Sequence, residues 1–229
     1  MSAILAEEKT SALTPEWLRV RELEEEARTL RSSVICAFNQ LLDLKDLNTG
    51  VHSTRLAEWG MRVAQELGID GRGLLDIEVA ALLHDIGKMG VPDAILRKPG
   101  RLTEEEFAIV KKHPEYGWAV LRQMPGFEDA SLFVLHHHEN FDGKGYPAGL
   151  KEVEIPIGSR IVSVIDAFDA MVSSRPYRQG LSFDEATRRL IISSGTQFDP
   201  VIVQCFLRIA QAGMPSVFEA AGTTVSAAL

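Results

Sequence analysis

The chain has 229 residues, of which 45% are hydrophobic and 24% charged, a composition typical of a folded globular protein with one sizeable core. Its formal net charge of −8 argues against a protein that grips a nucleic-acid polymer through a broad basic surface. Cys36 and Cys205, far apart in sequence, indicate neither a disulfide framework nor a cysteine-built zinc site. Because no apolar run is long enough for a membrane span and no signal peptide is recognisable, we expect a cytoplasmic protein.

The first predicted element is an amphipathic helix. Thr14-Pro15-Glu16 has the pattern of an N-cap followed by proline at the first helical position. Apolar residues then recur at spacings of three and four from Val20 to Leu41. This stripe fits either a helix docked on its own domain or a short coiled coil that dimerises the protein. We predict a homodimer through residues 16–42, and expect regulation to come through this helix, through a signalling protein partner, or not at all.

Seven further helices are predicted, from apolar residues at every third or fourth position, at 52–67, 74–86, 103–123, 128–138, 157–172, 183–194 and 200–212. Glycine and proline fill the connections, and strand patterns are nearly absent. The expected fold is therefore all-α, a single helical bundle. We expect an N-terminal extension and helix at 1–45, a catalytic domain at 46–212 and a flexible tail at 213–229.

Histidines and acids emerge from apolar segments of this bundle. His84-Asp85 follows a run of five apolar residues, His137-His138 follows another apolar segment, and Asp166 lies in a third. Burying such groups without partners would cost on the order of several kcal/mol, whereas two metal ions bridged by a carboxylate would satisfy them. Mixed imidazole and carboxylate ligands suit iron, manganese, zinc or nickel better than magnesium alone.

Two motifs resemble those of a known family. His84-Asp85-Ile86-Gly87-Lys88 is similar to the motif of the HD superfamily of metal-dependent phosphohydrolases, and His137-His138-Glu139-x-x-Asp142-Gly143-x-Gly145-Tyr146-Pro147 is similar to the HHExxDGxGYP motif of its HD-GYP subgroup. The similarity extends over about residues 46–205. It implies an HD-type bundle and an enzyme, a phosphodiesterase that hydrolyses cyclic di-GMP to pGpG, GMP or both through a metal-bridging hydroxide.

The resemblance also implies roles for individual residues. It implies two divalent metal ions, most often iron or manganese, with Asp85 as the bridge between them and Lys88 on the scissile phosphate, so that Asp85 and Lys88 form the catalytic pair. It implies that Arg175 and Arg178 hold the substrate together with Lys88. Tyr146 is a further candidate for substrate binding, and the residues leave open whether it faces the ligand or packs below the site. The implied metal ligands are His52, His84, Asp85, His113, His137, His138 and Asp166.

Several further residues surround the implied metal ligands, and one position departs from the family pattern. We expect Glu139, Asp142 and Asp169 to orient the ligating imidazoles or to fix the motif loop, and His136 to be a packing residue or to support the ligands. Relatives that bind a third metal carry glutamate where this chain has Asn48, which favours two ions here. Two alternatives remain open: a module that binds cyclic di-GMP with little or no turnover, and an HD phosphohydrolase that acts on another nucleotide.

Overall fold

The computed structural model describes residues 14–45, 51–174 and 179–213, and no strand occurs among them. Their helices are α1 (Pro15–Lys45), α2 (Val51–Glu66), α3 (Gly71–Leu83), α4 (Asp93–Leu96), α5 (Glu104–Val110), α6 (His113–Leu121), α7 (Glu128–Leu135), α8 (Ile157–Val172), α9 (Phe183–Ser193) and α10 (Pro200–Ala212). Short 3₁₀ turns lie at Ile86–Gly90 and Glu152–Glu154. The all-α prediction is confirmed. No described helix combines the length and the apolarity that crossing a membrane requires.

Contacts divide the chain into two units, residues 1–37 and 38–229. In the first unit, α1 begins at Pro15, and Thr14 Oγ1 accepts a hydrogen bond from the Trp17 N–H at 3.4 Å, as expected for its N-cap. In the second unit, α2, α3, α7 and α8 pack on one another, and α10 packs on α2 and α8. The last turns of α1 belong to this second unit. The predicted tail beyond Gly213 lies outside the described residues.

Aromatic rings join α2, α8 and α10 in the core of the second unit. The ring of Phe206 lies 5.2 Å from that of Trp59 and 4.9 Å from that of Phe168, both in edge-to-face geometry. All three side chains are almost completely buried. Their burial holds together the helices that carry His52 and Asp166.

Three predicted helices end or break where the functional residues begin. The helix expected over 103–123 is interrupted after Val110, because Pro114 lacks an N–H and its ring would clash with the carbonyl four residues earlier. The helix expected over 74–86 ends at Leu83, and that expected over 128–138 ends at Leu135. His84, His136 and the residues that follow them therefore lie just beyond helix ends and not within helices.

A close backbone approach joins the 3₁₀ turn to α6. A Cβ placed on Gly87 would lie 1.8 Å from the His113 carbonyl oxygen and 2.5 Å from the Gly117 nitrogen. No side chain fits there, so glycine at this position lets the segment after Asp85 reach the start of α6. This close approach sets the distance between Asp85 and His113.

Substituting Gly87 by alanine should therefore destabilise the bundle by roughly 3 kcal/mol, because backbone atoms must move to admit the methyl group. Urea unfolding followed by circular dichroism would measure the loss. Gly73→Ala is the matched control, since its Cβ would meet only the Ile69 side chain, at 3.0 Å, and alanine is the better helix former. Equal midpoints for Gly87→Ala and the parent protein would contradict the close approach.

Candidate metal centre

Three buried histidines direct the same ring nitrogen, Nε2, toward the interior of one site. In each, Nδ1 lies within hydrogen-bond distance of the carbonyl oxygen three residues earlier: His84 to Ala81 at 3.0 Å, His113 to Val110 at 2.8 Å and His137 to Val134 at 2.7 Å. A carbonyl oxygen can only accept a hydrogen bond, so Nδ1 carries the proton in the neutral ring. The lone pair on Nε2 is left to face the interior of the site.

The predicted ligands form two clusters. Each cluster offers ligand atoms within 4.8 Å of one another, one from His113, His137 and His138, the other from His52, His84 and Asp166. Asp85 lies between them, with Oδ1 3.3 Å from His113 Nε2 and Oδ2 3.4 Å from His84 Nε2. The structure thus brings all seven predicted ligands together, and the two oxygens of Asp85 face different clusters.

The first cluster has the chemistry of a cation site. His113 Nε2 and His137 Nε2 lie 3.4 Å apart, and both carry lone pairs that would repel. Two nitrogens bound to one tetrahedral zinc ion, with bonds of about 2.05 Å, lie roughly 3.3 Å apart. Burial, reinforced by neighbouring histidines, holds the pKa of His137 well below its usual value and lowers that of His138 to about 4. These imidazoles are therefore neutral near pH 7 and able to bind a divalent ion.

The second cluster combines histidine and carboxylate side chains, and the pKa values of His52 and Asp166 depend on each other. His84 Nε2 is buried and has no hydrogen-bond partner among the described residues, as expected for a ligand atom. His52 Nε2 lies 3.4 Å from Asp166 Oδ1. Burial alone would lower the pKa of His52, but hydrogen bonds to Asp166 and Asp169 outweigh it and raise the pKa to about 9. Burial would raise the pKa of Asp166, yet the hydrogen bond from His52 holds it at about 2.

Asp169 holds His52 in place. Its Oδ2 lies 2.5 Å from His52 Nδ1, which directs His52 Nε2 toward the cluster. Arg55 binds the same carboxylate with two hydrogen bonds, Nε to Oδ1 at 2.7 Å and Nη2 to Oδ2 at 2.9 Å. Arg55 Nη2 also donates to Ser173 Oγ at 2.9 Å, and that hydroxyl lies 3.1 Å from Asp169 Oδ2. Neither Arg55 nor Ser173 was predicted from the sequence to have a role, although the spacing of His52 and Arg55 places them on one helix face.

Lys88 brings a positive charge to the Asp85 carboxylate. Its Nζ lies 2.6 Å from Asp85 Oδ2, and Lys88 is only partly exposed. Although burial would raise the pKa of Asp85, the nearby positive charge of Lys88 holds it well below its usual range. Asp85 is therefore ionised, which a bridging ligand must be.

Backbone contacts fix the loop that follows His138. Glu139 Oε1 accepts hydrogen bonds from the N–H groups of Ala148 at 2.7 Å and Gly149 at 3.2 Å, and lies 3.5 Å from His136 Nδ1. The Asp142 carboxylate accepts from the backbone N–H and the ammonium of Lys144, so it contacts its own loop. Glu139 and Asp142 thus stabilise the loop that returns to the histidines.

Tyr146 forms one edge of the centre. Its ring stacks on that of His138 with centroids 4.9 Å apart, and its N–H donates to the His138 carbonyl at 3.2 Å. The ammonium of Lys111 lies 5.3 Å from the centre of the Tyr146 ring. Burial, with the charge of Asp85, raises the pKa of the Tyr146 hydroxyl above its usual value, so the phenol is neutral. Lys111 was not among the residues predicted from the sequence.

Three predicted positions lie outside the described residues, namely Arg175, Arg178 and Asn48. Their assignments stay predictions. Arg175 and Arg178 directly follow the part of α8 that carries Asp166 and Asp169.

A protein-family model described as the HD domain matches residues 37–202. This chain belongs to the HD-domain family. The HD-GYP resemblance is confirmed by relatives such as a cyclic di-GMP phosphodiesterase of Thermotoga maritima, 44% identical over 77% of this chain and 48% of the relative. A 3′3′-cGAMP-specific phosphodiesterase of Vibrio cholerae is 37% identical over 78% of this chain and 38% of its own length.

Solved structures support the same fold. A cyclic GMP-AMP-specific phosphodiesterase of V. cholerae superposes with a TM-score of 0.57 at 20% identity, over 76% of this chain and 46% of the other. At that identity the likeness concerns the fold alone. This HD-domain chain spans about half the length of the curated relatives it matches, such as that of T. maritima.

Asp169→Asn should weaken metal binding to the HD domain by about 10- to 100-fold, because His52 would lose the charged acceptor that orients it. Competition with a chromophoric chelator measures the affinity, and thermal melting of the metal-free protein checks that the variant is folded. Asp142→Asn serves as the control, since that carboxylate contacts Lys144. Unchanged affinity in folded Asp169→Asn would contradict the proposed support of His52.

Proposed function

We propose that this HD domain is a metal-dependent phosphodiesterase that hydrolyses cyclic di-GMP. The observation that carries the proposal is the pair of ligand clusters divided by one ionised carboxylate, Asp85, with the Lys88 ammonium 2.6 Å from it. A phosphodiester carries negative charge that grows on its oxygens during cleavage, and divalent ions held by these clusters, together with Lys88, would supply positive charge where such a group would lie. The curated names of the relatives supply the substrate class.

The ligand set fits two divalent ions, and we propose iron or manganese. The cluster of His113, His137 and His138 would hold one ion, the cluster of His52, His84 and Asp166 the other, and Asp85 would contact both. Two such ions lower the pKa of a bound water to near neutral and neutralise phosphate charge. The predominance of imidazole ligands is the reason to prefer first-row transition metals to magnesium.

The chain's own residues then position the substrate. Lys88 would place its ammonium on the oxygens of the scissile phosphate, where its charge lowers the barrier most in the transition state. The neutral Tyr146, whose ring stacks on that of His138, would form the edge of the substrate site next to Lys111. Arg175 and Arg178 remain, by resemblance, the proposed holders of the nucleotide, because a guanidinium offers paired donors to phosphate or to a guanine edge. The product would be pGpG, or GMP after a second cut.

A second candidate is hydrolysis of 3′3′-cGAMP. It is favoured by one observation, the V. cholerae relative that is 37% identical over 78% of this chain. The two cyclic dinucleotides differ in one purine, so discrimination between them depends on how the bases are bound and not on the metal centre. A module that binds cyclic di-GMP without turnover is the remaining alternative, and the complete ligand set argues against it.

We also propose that the protein is a homodimer through the helix at residues 16–42 and receives its regulatory input there. The support is a run of apolar side chains that are exposed along α1, among them Trp17, Leu23 and Leu30. A monomer mass in light scattering at micromolar concentration would contradict this.

Replacing both His84 and Asp85 by alanine should reduce turnover of cyclic di-GMP by at least about 1000-fold, because both clusters lose ligands. Chromatography would monitor the hydrolysis in the presence of added iron or manganese, and elemental analysis would measure the metal content of the protein. Lys144→Ala, a change on the exposed loop surface, should leave both unchanged. Turnover retained by the double variant would overturn the proposed catalytic centre.

A substrate panel separates the candidate activities. Metal-loaded protein should hydrolyse cyclic di-GMP with a kcat/KM about tenfold or more above that for 3′3′-cGAMP or cyclic di-AMP, because a site built to hydrogen-bond one base leaves its polar groups unpaired with another. Preference for 3′3′-cGAMP would select the second candidate. Tight binding of cyclic di-GMP without product over hours would select the binding module.

A further inference from the structure

Helix α1 has a continuous apolar stripe whose members are mostly exposed. Its members are separated alternately by three and four residues: Val20, Leu23, Ala27, Leu30, Val34, Ala37, Leu41 and Leu44. All of them are exposed except Val34, which is half-buried. Leu30 is 66% exposed and Leu44 is 77% exposed. An isolated helix with such a stripe is marginally stable in water, so the stripe favours a partner helix.

At the end of α1 that belongs to the second unit, the stripe is distinct from the side of the helix that is buried. Within residues 38–45, Leu42 is buried at 7% exposure while Leu41 and Leu44 remain exposed. This end of the helix is fixed by an ion pair between Lys45 and Asp93, and by Arg97, which donates to the carbonyl of Leu44 at 2.8 Å. Within residues 38–45, the second unit therefore buries one side of the helix and leaves Leu41 and Leu44 exposed.

The order of residue types along the stripe favours a particular assembly. In heptad notation, Val20, Ala27, Val34 and Leu41 occupy the a positions, and Leu23, Leu30, Ala37 and Leu44 occupy the d positions. Valine occupies two of the four a positions and leucine three of the four d positions. β-Branched residues at a with leucine at d favour two parallel strands. The pattern is thus that of a short parallel dimer.

Charges beside the stripe support the same orientation. In a parallel, in-register pair, each g residue faces the e residue of the partner's next heptad. Arg19 would then face the partner's Glu24, and Glu26 would face the partner's Arg31. Both pairs are of opposite sign, and each occurs twice by symmetry. Within the described part of the protomer, Arg19 pairs only with the exposed Glu22, at 3.1 Å.

In an antiparallel pair of helices, fewer of these charged residues face a residue of opposite charge. In the register that overlaps residues 20–37, Glu24 would still face the partner's Arg31. Arg19, however, would face the partner's Gln40, and Glu26 the partner's Ser33. Two of the four flanking charges would therefore lack an opposite charge, which makes the antiparallel pair the poorer match.

We propose that α1 pairs with α1 of a second copy as a parallel, in-register coiled coil over residues 20–44. This inference rests on the proposed homodimer and adds its orientation and register. It places residues 38–45 of both protomers, where each helix enters its catalytic unit, at the same end of the pair. A change in the coiled coil upstream would then reach both catalytic units in the same direction.

Disulfide trapping tests the orientation. In a Cys36→Ser background, Leu30→Cys should crosslink to itself under mild oxidation at least about tenfold faster than Glu25→Cys, because identical d residues face each other and identical f residues lie on opposite outer faces. In the antiparallel register, position 30 faces position 27. A mixture of Ala27→Cys and Leu30→Cys would then crosslink while Leu30→Cys alone would not, and that result would overturn the proposal.

Charge exchange tests the register without oxidation. Glu26→Arg alone should raise the dimer dissociation constant roughly tenfold, and adding Arg31→Glu should restore it, because the two residues would exchange signs within one pair. No restoration in the double variant would overturn the register. A monomer mass for the parent protein would instead refute the homodimer, and turnover of cyclic di-GMP, measured separately, would decide the proposed function independently.

Discussion

The structure depends on one electrostatic constraint: several buried imidazoles turn their unprotonated nitrogens toward one another. His113 Nε2 and His137 Nε2 lie 3.4 Å apart, and their Nδ1 protons are committed to backbone carbonyls. Neither ring can turn to relieve the repulsion without breaking its own hydrogen bond. A divalent cation held between these nitrogens would relieve the repulsion, and the carboxylates beside the cluster, with Asp85 between its two halves, would balance the charge of that cation.

Helix ends provide the geometry for this constraint. The last carbonyls of an α-helix have no partner within the helix. The carbonyls of Ala81, Val110 and Val134 lie in the last turns of α3, α5 and α7, and each accepts from a histidine just beyond its helix. The same hydrogen bond satisfies the helix end, fixes the tautomer and aims Nε2 inward. Three helix ends therefore provide three candidate ligand positions, and the close approach at Gly87 brings two of them together.

The all-α fold and the clustering of the proposed ligands could be predicted from the sequence, because apolar periodicity marks helices and because His84-Asp85 and the longer motif are specific. Helix ends were predicted less well, because the expected helices continue past Leu83 and Leu135. The spacing of apolar residues does not indicate the residue at which the backbone leaves the helix. Arg55 and Ser173 could not have been assigned at all. Their role depends on Asp169, which lies 114 residues after Arg55 and reaches it only through the packing of α2 on α8.

Helix α8 connects the metal centre with the segment proposed to hold the substrate. It carries Asp166, a proposed ligand of the second cluster, and one turn later Asp169, which orients His52. One turn beyond Asp169, the Ser173 hydroxyl binds both Asp169 and Arg55, and the chain then leads to Arg175. A displacement of this segment would therefore act on the carboxylate that positions a metal ligand. Under the proposed function, substrate binding by the residues after α8 would therefore influence the orientation of His52, a proposed metal ligand.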